Sequence, residues 1–356
     1  MKITRIEVIR DGLDLLRPYT IAYKTTSAID VCLVKVHTDT KHIGLGSANP
    51  SPYVVGEDMD ACIAALSPEN TERFIGRDIR DLQMMLHELH EIYPKNPGAK
   101  VALDLAFYDL MGKYLDIPVV KMLGQHIDGL ATSITIGIKN VEDTVEEAQE
   151  YYDRGFKILK VKLGHSLEED LERLRKLRET FGNKMGIRVD ANQGYTLEDL
   201  KVFHAKTQDM DLELVEQATP ADDLALMQSL PEEIKKTIAA DESLVDAKDA
   251  WKLVTPPGAC GIFNIKLMKC GGIHQALRIA EVARLSGRDL MWGCNDESIV
   301  SIAGALHVAF SCEHTKYIDL DGSLDLSRDF VRGGFSLEEG VMRPTDAPGL
   351  GCTLLD

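Results

Sequence analysis

The sequence predicts an α/β protein, a modified TIM barrel of the (β/α)7β type carrying an α+β capping domain. Three observations predict it. Eight short apolar runs recur between residues 133 and 321 at a pitch of roughly 24 to 28 residues. Helical patterns fill most of the intervals between them, as in LEEDLERLRKLRETFG and IHQALRIAEVARLSG. The first 125 residues lack that pitch and read as strands followed by helices.

The opening 50 residues hold three strand runs, ITRIEVIR, AIDVCLVKVHT and KHIGLGSA. Polar TDTKH makes the turn between the last two, and RPYTIAYKTT, with Lys24, reads as a loop between the first two. Residues 57–95 switch to helical periodicity. From Lys100 to Tyr114, the residues Ala102, Leu105, Ala106 and Leu110 recur at three- and four-residue steps, until Ile117-Pro118 stops the helix. These elements set a capping domain over residues 1–125.

The eight runs are SITIGI (133–138), ILKVKL (158–163), GIRVDA (186–191), LELVEQ (212–217), TIAADE (237–242), GIFNIKL (261–267), DLMWG (289–293) and KYIDLD (316–321). They set a barrel over 126–324. After the eighth, GSLDLSRDFVRGGFSLEEG is Gly-rich and has no clean helix. The barrel is therefore expected to lack a regular last helix, with residues 325–356 returning to the capping domain.

The 356 residues are 44% hydrophobic and 27% charged, enough apolar material for one large domain and a smaller one. No run of 18 or more apolar residues is present, and MKITRIEVIRDG lacks the apolar stretch of a signal peptide. A net charge of −17 argues against nucleic acid, whose binding needs clustered Lys and Arg. The seven cysteines include no CxxC pair and several sit in apolar runs, which fits reduced thiols in a cytoplasmic protein.

Barrel active sites lie at the C-terminal ends of the strands. Those ends carry Lys160 and Lys162, Asp190, Glu216, Asp241, Lys266, then Asp319 and Asp321. Three carboxylates on neighbouring strands repel one another unless a cation joins them, and an all-oxygen set suits Mg²⁺ better than zinc. Helix capping by single acids is the plainer alternative, but it does not require acids on three adjacent strands. Lys162 and Lys266 then face each other across the cavity. A lysine crowded by a cation and a second lysine is expected to have a lowered pKa and to act as a base. Two such groups suit a two-base epimerase, although both lysines could instead simply pair with the carboxylates. Lys160 is read as pointing to the opposite side of the strand, reaching the site only if the strand twists or ends there.

These residues resemble the enolase superfamily, in particular its muconate lactonizing enzyme subgroup, over nearly the whole chain. KVK at 160–162 resembles the subgroup's KxK motif. DANQ at 190–193, EQ at 216–217 and ADES at 240–243 resemble its metal-ligand segments. NIKLMKCGGI at 264–273 resembles the segment of the second base, and ALDLAFYDLMGKYLDIP the end of the capping domain. The resemblance implies Lys162 and Lys266 as the acid/base pair, assisted by Lys160. It also implies one Mg²⁺ per subunit on Asp190, Glu216 and Asp241, stabilising an enediolate formed from the substrate carboxylate.

Asp319-Leu-Asp321 is similar to the DxD of dipeptide epimerases, which binds the substrate's terminal ammonium. The resemblance thus implies a dipeptide epimerised at the α-carbon of its second residue. Thr135, in the first barrel run, joins the substrate-binding candidates. Lys24 stands where Ala-Glu epimerases carry an Arg, but a point charge matches a bidentate fork imperfectly. Opposing it, GCNDES puts Asp296 and Glu297 at the pocket, where a carboxylate favours a basic second residue and repels Glu. Asp296 reads equally as a loop acid or a helix cap, so a basic residue leads and L-Ala-D/L-Glu epimerisation stays open. Other subgroup reactions, o-succinylbenzoate synthase or muconate cycloisomerase, remain alternatives, as does a non-catalytic binding protein. A Schiff-base lyase has no use for three metal carboxylates. Barrels of this kind are often homo-oligomers, and one is expected here.

Overall fold

The computed structural model describes residues 1–21 and 24–355, the side chains of Tyr19, Ile21 and Lys24 excepted. Strand β1 (Ile3–Ile21) pairs antiparallel with β2 (Lys24–Thr38), and β2 with β3 (Ile43–Ala48). RPYTIAYKTT is therefore not simply a loop. Most of it extends the β1–β2 hairpin, with a slip in pairing between Asp14 and Tyr19. Such an irregularity breaks the alternation by which a strand is read in sequence.

The helical pattern of 57–95 resolves into Met59–Ala65, Pro68–Thr71 and Leu82–Ile92, joined by short 3₁₀ turns. A long helix, Pro97–Leu115, follows and is buried on almost every face between the cap sheet and the barrel. Gly46 lets β3 lie directly on it, since a Cβ there would run into the Ala102 carbonyl. On the barrel side, Asp104 accepts the N–H groups of Ile273 at 2.7 Å and His274 at 3.2 Å. It thereby caps helix Ile273–Ser286 from the other domain. Gly272, at φ 114°, provides the close approach, because any Cβ would collide with Asp104.

Eight parallel strands form the barrel in chain order: Ile134–Ile136, Ile158–Lys162, Gly186–Asp190, Leu212–Glu216, Ile238–Ala240, Ile262–Ile265, Asp289–Gly293 and Thr315–Asp319. Each coincides with a predicted run, shifted by a residue or two at its ends. The ring nearly closes where Thr132 bridges Ile318 and Ser133 N–H reaches the Ile318 carbonyl at 3.3 Å. At the closed end of the barrel, Leu214, Ala239, Ile262, Met291 and Tyr317 pack together. Arg188 crosses that floor, donating to the Ile318 carbonyl at 2.6 Å and to Glu213 at 2.7 Å.

Helices connect the first seven strands to their successors, and among the described residues none follows the eighth. In its place Val331–Gly333 pairs with Cys352–Leu354, and Phe335–Glu338 with Val341–Pro344, which also pairs with Leu130–Ala131 beside the barrel. This segment meets the cap through Ser327 N–H on the Asp14 carbonyl at 2.9 Å and Leu350 N–H on Asp109 at 2.8 Å. Among the described residues no helix is long and apolar enough to cross a membrane.

Candidate active site

A cavity of about 240 Å³ opens at the C-terminal ends of the barrel strands, roofed by the cap. Its lining includes Lys160, Lys162, Asp241, Lys266, Asp319 and Asp321 from the barrel. The cap contributes Arg17, Thr26 and the segment Asn49–Val54.

Lys162, ending the second strand, donates to Asp190 Oδ2 at 2.7 Å. Lys266, just past the sixth, donates to Asp241 Oδ2 at 2.8 Å. Strands two and six lie four apart in an eight-stranded ring, so the two lysines rise from opposite walls. Lys160 requires a correction. Residues two apart on a strand share a face, so Lys160 points inward like Lys162 and needs no twist to arrive. Its ammonium lies 2.7 Å from Glu216 Oε2, 2.8 Å from Asp319 Oδ2 and 3.3 Å from Asp190 Oδ2.

The three expected metal carboxylates are fully or almost fully buried. Among the described residues they do not form a ready-made ligand group, although they lie close enough for their charges to act on one another. Lys160 stands between Asp190 and Glu216, while Lys266 and Lys269 both hold Asp241. Charge repulsion accounts for this, because ammonium groups occupy the space between acids that cannot share it alone. Burial pushes Asp190 upward, yet Lys162 and Lys160 bring it down to about 2. Glu216 goes the other way, to about 8, driven by burial and the Asp190 charge. Among the carboxylates alone, Lys266 does not show the expected lowering. Burial works against the charge of Lys266, but Asp241 and Glu216 outweigh it and raise its pKa, and Lys160 is raised likewise by Asp319, Glu216 and Asp190.

The donor set fits a hard divalent cation. Six carboxyl groups (Asp190, Glu216, Asp241, Glu242, Asp319, Asp321) meet four lysines (Lys160, Lys162, Lys266, Lys269), so the acids outnumber the lysines by two. Glu242 Oε2 and Asn192 Oδ1 are buried with no hydrogen-bond partner, and Glu216 Oε2 accepts no well-aligned bond although Lys160 is near. Burial, then Asp241 and Asp190, push Glu242 up to about 7. Oxygens left without donors in a negative pocket are what Mg²⁺ coordinates.

Several residues here escaped the reading of strand ends. Gln217, in the left-handed region at φ 29°, accepts the backbone N–H of Asp241 at 2.9 Å and the Ser243 hydroxyl at 2.9 Å, locking two strand ends together. Asn264 donates to Glu216 Oε1 at 2.9 Å from the middle of the sixth strand. Lys269, one helical turn after Lys266, looks like any helix residue in sequence. DANQ and EQ contained Asn192 and Gln217, and NIKLMKCGGI contained Asn264 and Lys269, so the motif segments held a signal for all four although strand ends alone did not single them out.

At the substrate end the DxD pair divides. Asp319 is committed to Lys160 and to the Ser133 hydroxyl at 2.6 Å. Asp321 Oδ2 accepts the Thr135 backbone N–H at 2.8 Å and faces the cavity. Burial and the Asp319 charge push Asp321 up to about 7. Thr135 thus contributes its backbone, and it lines the cavity as well. Asp296 also lines the cavity, beside Asn49, whose amide donates to the Asp296 carbonyl at 2.6 Å. Glu297 is not in the lining; it turns back to accept Asn295 N–H at 2.7 Å and is 2% exposed. The Lys24 side chain lies outside the described residues.

Fold and site together define a two-domain barrel enzyme with opposed lysines over a cluster of carboxylates. Residues 3–124 match the mandelate racemase / muconate lactonizing enzyme N-terminal domain, and residues 143–356 the enolase C-terminal domain-like family. The chain belongs to the mandelate racemase / muconate lactonizing enzyme family of the enolase superfamily. It is 48% identical to the L-Lys-D/L-Arg epimerase of Methylococcus capsulatus over 356 residues, covering 100% of both chains. It is 50% identical to the L-Lys-D/L-Arg epimerase of Desulforapulum autotrophicum, covering 99% of each. The crystal structure of the dipeptide epimerase from Methylococcus capsulatus, complexed with Mg and the dipeptide L-Arg-D-Lys, superposes with a TM-score of 0.98 at 48% identity. That superposition covers 99% of this chain and 100% of the other.

Proposed function

We propose that this chain is a magnesium-dependent dipeptide epimerase that inverts the α-carbon of the second residue and prefers a basic side chain there. One observation carries the reading. Lys162 and Lys266 end opposed strands over a single cavity that also presents Asp321 for an ammonium and Asp296 for a cationic side chain. The relatives named for L-Lys-D/L-Arg support the choice of a basic residue, as does the repulsion Asp296 exerts on a glutamate side chain.

The dipeptide lies with its ammonium at Asp321 and its carboxylate toward Asp190, Glu216 and Asp241, which would hold Mg²⁺. Bound there, the ion supplies positive charge to the substrate carboxylate as the α-proton leaves. One lysine, neutral, takes the proton from one face of the α-carbon; the other, as an ammonium, delivers a proton to the opposite face. Configuration inverts, and the two lysines exchange protonation states. Lys160 remains charged among Glu216, Asp319 and Asp190 and fixes their positions.

The seven cysteines, all free and six of them buried, suit a reducing cytoplasm, where we place the enzyme as a homo-oligomer. The test of function is exchange in D₂O with Mg²⁺ present. Deuterium is expected at the second α-carbon of L-Lys-L-Arg, with both epimers accumulating. Failure of any α-carbon of a dipeptide library to exchange would remove the proposal.

A further inference from the structure

Asp321 marks where the ammonium of the first residue sits, so the side chain of that residue leaves toward whatever lines the cavity next to it. The same cavity is lined by Arg17 of the cap hairpin, by Lys139, Glu147 and Tyr151 at the first barrel helix, and by Asp325, four residues beyond Asp321 and close enough for the two charges to act on each other. Most of these charges are already paired. Arg17 donates to Glu147 at 3.1 Å and to both oxygens of Glu150, at 3.0 and 2.9 Å. Lys139 adds a second ion pair on Glu147, Tyr151 donates its hydroxyl to Glu147 at 2.8 Å, and Arg154 lies 3.6 Å from Glu150.

Asp325 is left over. Among the described residues its carboxylate accepts no hydrogen bond and joins no ion pair, although the residue is half-buried and faces the cavity. Its backbone is held instead, the Asp325 carbonyl accepting Leu16 N–H at 2.7 Å, so the residue is anchored at this point of the wall. Burial raises its pKa, and the nearby acids Glu147 and Glu150 add to that, while Arg154 and Arg17 act against it from a distance. A cation brought to the cavity would give this carboxylate the direct partner it lacks.

We infer that Asp325 determines specificity at the first residue of the dipeptide, taking the ammonium or guanidinium of a basic side chain. The inference rests on the epimerase reading and extends it to a second acidic contact, separate from Asp296. Arg17 and Tyr151 keep Glu147 occupied, so Asp325 acts as a single point of recognition rather than as part of a shared cluster.

The test compares L-Lys-L-Arg with L-norleucyl-L-Arg, which keeps the hydrocarbon chain and lacks the charge. The native enzyme should show kcat/KM at least about tenfold higher for the lysyl dipeptide, the ratio that 1.4 kcal/mol of contact supplies. Asp325→Asn, of nearly the same shape, should bring that ratio toward one. Equal turnover of both dipeptides by the native enzyme would overturn the inference. So would an Asp325→Asn variant that loses activity equally on both, which would make Asp325 a support for the Leu16 strand. Turnover of neither by the native enzyme would instead sink the epimerase reading itself.

Discussion

The backbone N–H of Thr135 donates to Asp321 Oδ2 at 2.8 Å across the seam where the first and eighth barrel strands meet. One carboxylate oxygen is thereby fixed, and among the described residues the other has only the Cys294 thiol near it, at 4.0 Å. Because burial and Asp319 push this carboxyl up to about 7, its charge is present above that pH and disappears below it. A peptide ammonium stays protonated to a pKa of about 7.7–8.0. KM should therefore rise as the pH falls from 8 to 6, with kcat less affected, and Asp321→Asn should have a high KM with no such acid limb. Steady-state kinetics across that range checks both statements.

Asp296 stands beside the cap anchor Asn49 and faces the cavity. Asp296→Asn should reduce the preference for Arg over norleucine at the second position by about tenfold, the scale of one solvent-accessible charge contact. Competition between the two dipeptides in a single reaction reads the ratio directly.

Asp104 reaches from the cap to cap a barrel helix, accepting the buried Ile273 N–H at 2.7 Å and the part-buried His274 N–H at 3.2 Å. Asp104→Ala leaves both without partners and should cost roughly 1–3 kcal/mol for each unsatisfied group, as measured by urea unfolding. Being buried, the Asp104 carboxyl is raised to about 8. A carboxyl raised on folding weakens stability as pH climbs from the unfolded value toward the folded one. The native protein should lose this part of its stability between about pH 4 and 8, and Asp104→Asn should not.

The barrel was legible because each strand is a short apolar run ending in a polar residue, at a pitch too regular for chance. The same regularity gave the lysines and carboxylates, which sit where strands leave the core. What stayed hidden depends on contacts the chain makes far from itself. Gln217 matters because its side chain locks onto the Asp241 turn 24 residues away. Lys269 sits on a one-turn helix whose direction only the fold sets. Glu297 looked like a pocket acid, and its neighbour's backbone turns it inward. The hairpin end near Lys24 lost its strand signal to a slipped register.

Chelation gives a simpler check on the carboxylate cluster. With six acids facing four lysines, removal of Mg²⁺ by EDTA should stop α-proton exchange, and added Mg²⁺ should restore it. Thermal stability should rise with added Mg²⁺ in the native protein and much less in Asp190→Asn or Asp241→Asn, as mass action on a folded-state site requires.

The central claim is that Lys162 and Lys266 serve opposite faces of one α-carbon. It is tested most directly by exchange in D₂O with Lys162→Ala and Lys266→Ala, each given L-Lys-L-Arg and L-Lys-D-Arg separately. Both variants should lose epimerisation by a factor of 10² or more, on the order of what a positioned acid or base supplies. Any exchange that survives should come from the L isomer with one variant and from the D isomer with the other. Exchange from the same isomer by both variants, or epimerisation persisting in either, would contradict two opposed bases.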